Sequence, residues 1–242
     1  MPRQSARYKL QLEARGDAAA RVPVPEAVKL IKSMAALRPQ KKDYKGLKKP
    51  KGFDQTVELV CWLGVDPRQA DQALRGAVSL PKGIGKSKRV IAFCPDDLAD
   101  KAKAAGAVEA GADELIKKVN DGWTDFDVAV AHPAVMGKVG KLGRVLGPQG
   151  KMPSPKSGTV TPNIEQAVRE YSAGKVEFRT DAGGNVHAPV GKASFAEADL
   201  VENIEAFIAH MRKSKPATAK GQYFKRVCLT ATMTPSVTLD VS

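Results

Sequence analysis

The chain has 242 residues, with 39 Lys and Arg against 26 Asp and Glu, for a formal net charge of +13. That length and a hydrophobic content of 43% allow one large domain or two ordinary ones with a sizeable core, and they exclude wholesale disorder. Such a charge indicates a polyanionic partner, most often nucleic acid, or else the solvated surface of a basic enzyme.

After a basic N-terminal arm, Pro25 to Leu37 reads as an amphipathic helix. Ala27, Val28, Leu30, Ile31, Met34 and Ala35 recur on one face, and Pro25 and Glu26 suit the first turn. Pro39 stops it. Arg38 to Lys51 follows as a basic loop, with seven Lys or Arg residues against Asp43 alone. Asp54 to Leu63 alternates as a strand, with Val57, Leu59, Cys61 and Leu63 on one face and Thr56, Glu58, Val60 and Trp62 on the other. Asp66 to about Arg75 is expected to be a short polar helix, and Leu80 to Lys86 a hinge or linker.

The rhythm changes at Lys88. Arg89 to Cys94 and Phe126 to Ala131 read as short buried strands, with helices over Asp96 to Ala105 and Ala112 to Asn120. A further helix from Pro133 runs into glycine-rich sequence. Apolar strands alternating with helices predict a parallel, doubly wound layer. After Gly174 the pattern reverts, with strands at Val176 to Thr180, Val186 to Ala188, Val227 to Met233 and Val237 to Val241, and a helix at Glu197 to His210.

The fold class expected is an α+β split domain with an inserted α/β Rossmann-like domain, two-domain and hinged. The discontinuous domain takes 1–82 plus 174–242 and the insert 83–173. The discontinuous domain carries +11 of the net charge and the insert only +2, which places the main polyanion site on the former.

Little in the sequence favours an enzyme. The segment Gly83 to Ser87 resembles the end of a phosphate-binding loop, but Leu80 stands where the first glycine is required, and the segment precedes a strand. His132, His187 and His210 have no second histidine or cysteine at metal-ligand spacing, and no nucleophile elbow is present. Neither a metal nor a cofactor is expected. Cys61, Cys94 and Cys228 form no CxxC pair, which points to a reducing, cytosolic setting. No apolar run approaches the ~18 residues of a membrane span, and the N-terminus does not read as a secretory signal. Aromatics make up 5% of the chain, few for a protein that reads unpaired bases mainly by stacking.

Two acid-free stretches remain. Val128 to Ile164 holds Lys138, Lys141, Arg144, Lys151 and Lys156 among closely spaced Gly and Pro, which let a backbone run near a partner while the cations meet phosphates. Ala206 to Leu239 holds Arg212, Lys213, Lys215, Lys220, Lys225 and Arg226 and ends in the hydroxyl-rich piece Thr230 to Ser236. Small hydroxyls suit ribose and phosphate contacts, though threonine also simply favours strands.

Residues Leu142 to Val160 (LGRVLGPQGKMPSPKSGTV) resemble the signature of the bacterial large-subunit ribosomal protein L-one family. Phe53 to Glu58, Leu63 to Arg68, Gly122 to Asp127, His187 to Phe195 and Thr232 to Pro235 look like family segments in family order, covering nearly the whole chain from about residue 22. The resemblance implies a ribosomal, cytoplasmic protein without catalytic activity. It would bind large-subunit rRNA in the mobile stalk beside the tRNA exit site, help release deacylated tRNA, and repress translation of its own operon mRNA. It would be a monomer outside the ribosome.

Carried over by position, the RNA-contact residues are Phe53, Thr56, Thr232 and Met233, with Glu58 as an acceptor for a 2′-hydroxyl or base amino group and Lys51 as a phosphate contact. Lys141, Arg144, Lys151 and Lys156 would face RNA or tRNA in the insert. Thr234 stands where the family has glycine, which predicts a distorted turn if a positive backbone angle is needed there. Gln149, Lys151 and Ser154 replace a usual arginine, leucine and asparagine, and Arg38 to Gly52 is longer and more basic than the usual connection.

Overall fold

The computed structural model describes residues 4–37, 53–69 and 71–241. In chain order these form α1 (Ala6–Arg15), β1 (Arg21–Val22), α2 (Val24–Ala36), β2 (Thr56–Leu63), β3 (Arg75–Val78), β4 (Val90–Phe93), α3 (Asp96–Ala104), β5 (Glu109–Gly111) and α4 (Asp113–Asn120). There follow β6 (Val128–Ala131), α5 (Met136–Val139), α6 (Gly143–Leu146), α7 (Ile164–Ser172), β7 (Val176–Arg179), β8 (Asn185–Lys192), α8 (Glu197–Lys213), β9 (Phe224–Ala231) and β10 (Val237–Leu239). Short 3₁₀ turns flank α5 and α6.

Two compact units result. The first takes residues 1–74, 80–85 and 179–242, the second 75–79 and 86–178, so the chain crosses between them four times.

In the first unit a five-stranded sheet runs in the order β1-β10-β9-β2-β8. Strand β2 is antiparallel to both β9 and β8, and β1 is parallel to β10. The alternation of β2 buries Val57, Leu59, Cys61 and Leu63 against α2 and α8, which cover one face of the sheet. Ala27, Val28, Ile31 and Met34 of α2 and Leu200, Ile204, Phe207 and Met211 of α8 complete this core. Helix α8 has Glu197 and Asp199 in its first turn and Arg212 and Lys213 in its last, which matches the helix dipole at both ends. The basic N-terminal arm contains a helix, α1. Ser5 Oγ caps α1 by accepting the Tyr8 N–H, and the buried Gln11 amide donates to the Met34 carbonyl at 2.9 Å.

In the second unit a three-stranded parallel sheet, β5-β4-β6, has helices on both faces. Every residue of β4 and β6 is buried, as expected for strands covered on both sides. Val90, Ala92, Val128 and Val130 pack with Ala102 of α3 and Val168 and Tyr171 of α7. Ile91, Phe93 and Ala129 pack with Leu115 and Val119 of α4 and with Val139, Leu142 and Leu146 of the turns beyond β6. Strand β3 pairs with β7 as a separate two-stranded sheet.

Two local expectations are corrected. The polar helix expected from Asp66 is a set of turns, because local side chains satisfy the backbone. The Asp66 carboxylate accepts the Arg68 N–H, and Gln72 Oε1 accepts the Asp66 N–H. The stretch expected as a flexible linker is anchored in the first unit. Asn203 of α8 is 0% exposed; its Oδ1 accepts the Lys82 N–H, and its Nδ2 donates to the carbonyls of Gly83 and Val190. Gly85 sits at φ +72°, and a Cβ there would lie 2.7 Å from the Phe195 ring. The positive φ and this close approach account for that glycine.

Candidate nucleic-acid interface

Antiparallel pairing of β2 with β9 brings Thr56 beside Thr232, 176 positions away. The Thr232 N–H donates to the Thr56 carbonyl at 3.0 Å, the Thr56 N–H donates to Thr232 Oγ1 at 3.2 Å, and Thr232 Oγ1 donates back to the Thr56 carbonyl at 3.3 Å. Lys192 Nζ, from β8, donates to Thr56 Oγ1 at 2.9 Å, leaving that hydroxyl's own hydrogen for another acceptor. Glu58 faces outward, opposite Thr230 on β9 and Pro189 on β8.

The segment leading into β2 is pinned. The Asp54 carboxylate accepts the Ser194 N–H and Oγ–H, and the buried Gln55 amide donates to the Ala35 carbonyl at the end of α2. Phe53 is left 49% exposed. Beyond Ala231 the chain reverses through a tight turn in which the Thr234 N–H donates to the Ala231 carbonyl at 2.9 Å. Met233 sits at φ 67°, the one non-glycine residue with positive φ among the described residues, and is 73% exposed. An exposed thioether held in a left-handed conformation is strained, and its side chain buries little surface in return.

The distortion expected at Thr234 is not present, because the positive angle falls one residue earlier. The Thr234 hydroxyl instead closes the turn: it accepts the Ala231 N–H and donates to the Ala231 carbonyl, both at 2.9 Å. Thr230 Oγ1 donates to the Thr234 carbonyl at 3.2 Å. The hydroxyl thus supplies hydrogen bonds that a glycine could not.

Phe53, Thr56, Glu58, Thr232 and Met233 therefore share one end of the first unit's sheet. Lys51 lies outside the described residues. Sequence reasoning missed Lys192 and Ser194, which lie inside the family-like segment from His187 but whose role depends on the β2–β8 pairing.

In the second unit, residues 137–145 repeat glycine, cation and aliphatic every three positions. Gly137, Gly140 and Gly143 have open space where a Cβ would stand, Val139 and Leu142 are buried, and Lys141 and Arg144 are exposed. Lys138 pairs with Asp113 at 2.8 Å. Lys151 is engaged within the unit, donating to the Thr124 carbonyl at 2.9 Å with its ammonium 5.1 Å from the Phe126 ring. The side chain of Lys156 lies outside the described portion.

No group of three or more His, Cys, Asp or Glu able to hold a metal ion occurs among the described residues. No helix there is long and apolar enough to cross a membrane. A basic chain whose mixed sheet ends in hydroxyls, an exposed carboxylate and two exposed apolar side chains has the make-up of a nucleic-acid-binding protein. The sequence model of the ribosomal protein L1p/L10e family matches residues 22–235, and the chain belongs to that family. The family consists of structural proteins of the large ribosomal subunit that bind rRNA.

Proposed function

We propose that the chain grips a folded element of large-subunit rRNA through the Thr56–Thr232 end of the five-stranded sheet. The observation that carries this reading is Met233, exposed and at positive φ beside a cross-strand threonine pair that holds its turn in place. Phe53 and Met233 pack on riboses or bases. Thr56 and Thr232 meet the RNA backbone, Glu58 accepts from a 2′-hydroxyl or base amino group, and Lys51 meets a phosphate. The exposed Lys141 and Arg144 on the glycine ridge form a secondary surface for RNA or exit-site tRNA, together with Lys156; Lys151 joins them only by releasing the Thr124 carbonyl.

The resemblance extends the reading to the mobile stalk beside the exit site, to release of deacylated tRNA, and to repression of the chain's own operon mRNA by the same surface. It also implies a monomer outside the ribosome. The two units are read as the split α+β domain and a Rossmann-like insert. The helices on both faces of the parallel sheet support this.

The test is binding of the purified chain to the stalk rRNA fragment and to the operon leader, with Thr232→Ala and Met233→Ala as probes. Both variants weaken binding to each RNA; Met233→Ala retains the wild-type melting profile, whereas Thr232→Ala also gives up the hydroxyl's bonds to the Thr56 N–H and carbonyl and melts slightly lower. Equal binding by wild type and both variants removes the site assignment, and absence of binding to either RNA removes the function.

A further inference from the structure

The outward row of β2 does not end at Glu58. It continues through Val60 to Trp62, whose large ring is 44% exposed although the strand's other face is fully packed. Lys225 Nζ lies 5.0 Å from the centroid of that ring. Arg226 is the direct cross-strand partner of Trp62 and donates from Nη2 to Thr238 Oγ1 at 3.1 Å. Strand β9 enters this corner from a loop carrying the exposed Lys215 and Lys220, and the Gly64 N–H ties the end of β2 to the Tyr223 carbonyl at 2.7 Å.

None of Lys215, Lys220, Lys225 and Arg226 forms an ion pair among the described residues, and no acidic residue occurs between Ala206 and Leu239. The nearby Asp181 is already engaged, accepting from the N–H and Nδ2 of Asn185 and the N–H of Gly183.

We infer that Trp62 is a stacking platform for an unpaired base of the bound rRNA, with Lys225 and Lys220 meeting the flanking phosphates. The inference rests on the Thr56–Thr232 interface proposed above and extends it along the same open sheet face, by about 20 Å for six residues of strand. The surroundings select the occupant. Trp62 is the one exposed large hydrophobic side chain among the described residues of a corner where Tyr223 is buried, Phe224 is half-buried and Lys225 and Arg226 are exposed, whereas a protein-docking patch of useful size would be contiguous and apolar. One aromatic face flanked by unpaired cations is what a single-stranded nucleotide needs, and it asks for no particular base. The low aromatic content of the chain fits one such platform better than a multi-base reader.

The chain has two tryptophans, and the other, Trp123, lies in the second unit against Phe126. A Trp123→Phe background therefore makes Trp62 the sole indole reporter. On titration with the stalk rRNA fragment its emission falls, and Trp62→Ala weakens binding about tenfold. Lys225→Ala lowers the slope of log K against log salt by about 1. Trp62→Phe retains part of the affinity because a π-face remains.

Wild-type binding by Trp62→Ala, with Trp62 emission unmoved by RNA while Met233→Ala still weakens binding, overturns this inference and leaves the Thr56–Thr232 reading standing. Wild-type binding by both Trp62→Ala and Met233→Ala overturns both. Quenching in intact large subunits but not by the naked fragment assigns Trp62 to a protein neighbour and also overturns the inference.

Discussion

Replacing Met233 with glycine should move stability and affinity in opposite directions. A left-handed conformation costs a side-chain-bearing residue about 1–2 kcal/mol, and glycine removes that cost. Glycine also loosens the unfolded chain, a loss of about 0.4–1 kcal/mol. Met233 is 73% exposed, so its truncation sacrifices little buried surface in the free protein. The net expectation is a gain of about 0.5–1 kcal/mol, or roughly 1–4 °C in the melting temperature of a unit this size. On RNA the same change deletes an apolar contact worth about 1.5 kcal/mol, so binding should weaken about tenfold. Met233→Ala is the control: it loses the contact, keeps the backbone strain and melts near wild type. Thermal melts of the three proteins and filter binding to large-subunit rRNA give both quantities. If Met233→Gly is no more stable than Met233→Ala, the strain argument is wrong. If it is more stable and binds as wild type does, Met233 does not belong to the interface.

Three further outcomes are expected. Asn203→Ala leaves the Lys82 N–H and the carbonyls of Gly83 and Val190 without their buried partner, at a cost of about 2–4 kcal/mol by urea denaturation; a change under about 0.5 kcal/mol would show that the 80–85 segment is not anchored there. The Arg89 backbone N–H, followed by nearby cations, holds the Asp127 carboxyl below the ordinary aspartate range. Its contribution to stability is therefore present above that range and is lost as pH falls through the lowered value, so Asp127→Asn should flatten the acid limb of stability between about pH 5 and 2. An acid limb as steep as in wild type would refute this. Deleting Lys41 to Lys49 removes five lysines and should flatten the salt dependence of RNA binding by roughly 4 in log–log slope at most; an unchanged slope would show that the tract makes no phosphate contacts.

Elements whose periodicity is set by one buried face were legible in the sequence. Strand β2 declares itself through Val57, Leu59, Cys61 and Leu63, helix α2 through Ala27 to Ala35, and β4 and β6 through unbroken apolar runs that need cover on both faces. Elements created by distant partners were not. Strand β3 is four residues, Arg75–Val78, without alternation, and it is a strand because β7 lies beside it. Helix α1 is polar enough to pass for an arm, and it docks through Gln11 and Arg7, which donate to the Met34 and Ala35 carbonyls at the end of α2. The candidate site shows the same division. The residue types could be carried over from family-like segments, but the Thr56–Thr232 bonds, the Lys192 contact and the shift of positive φ from Thr234 to Met233 arise only when β2, β8 and β9 pair.

The Gln55 bond to the Ala35 carbonyl has a consequence for how this surface can vary. Ala35 and Gln55 stand on either side of residues 38–52, so the chain is stapled shut across that tract whatever its length or composition. Doubling the length of a loop closed at both ends costs only about 0.6 kcal/mol. Cations can therefore be added or removed there without disturbing the register of β2 or the angle at Met233. Cations that meet phosphates from this tract, as the Lys41–Lys49 deletion tests, would retune the chain's response to ionic strength while its choice of RNA stays with the paired strands.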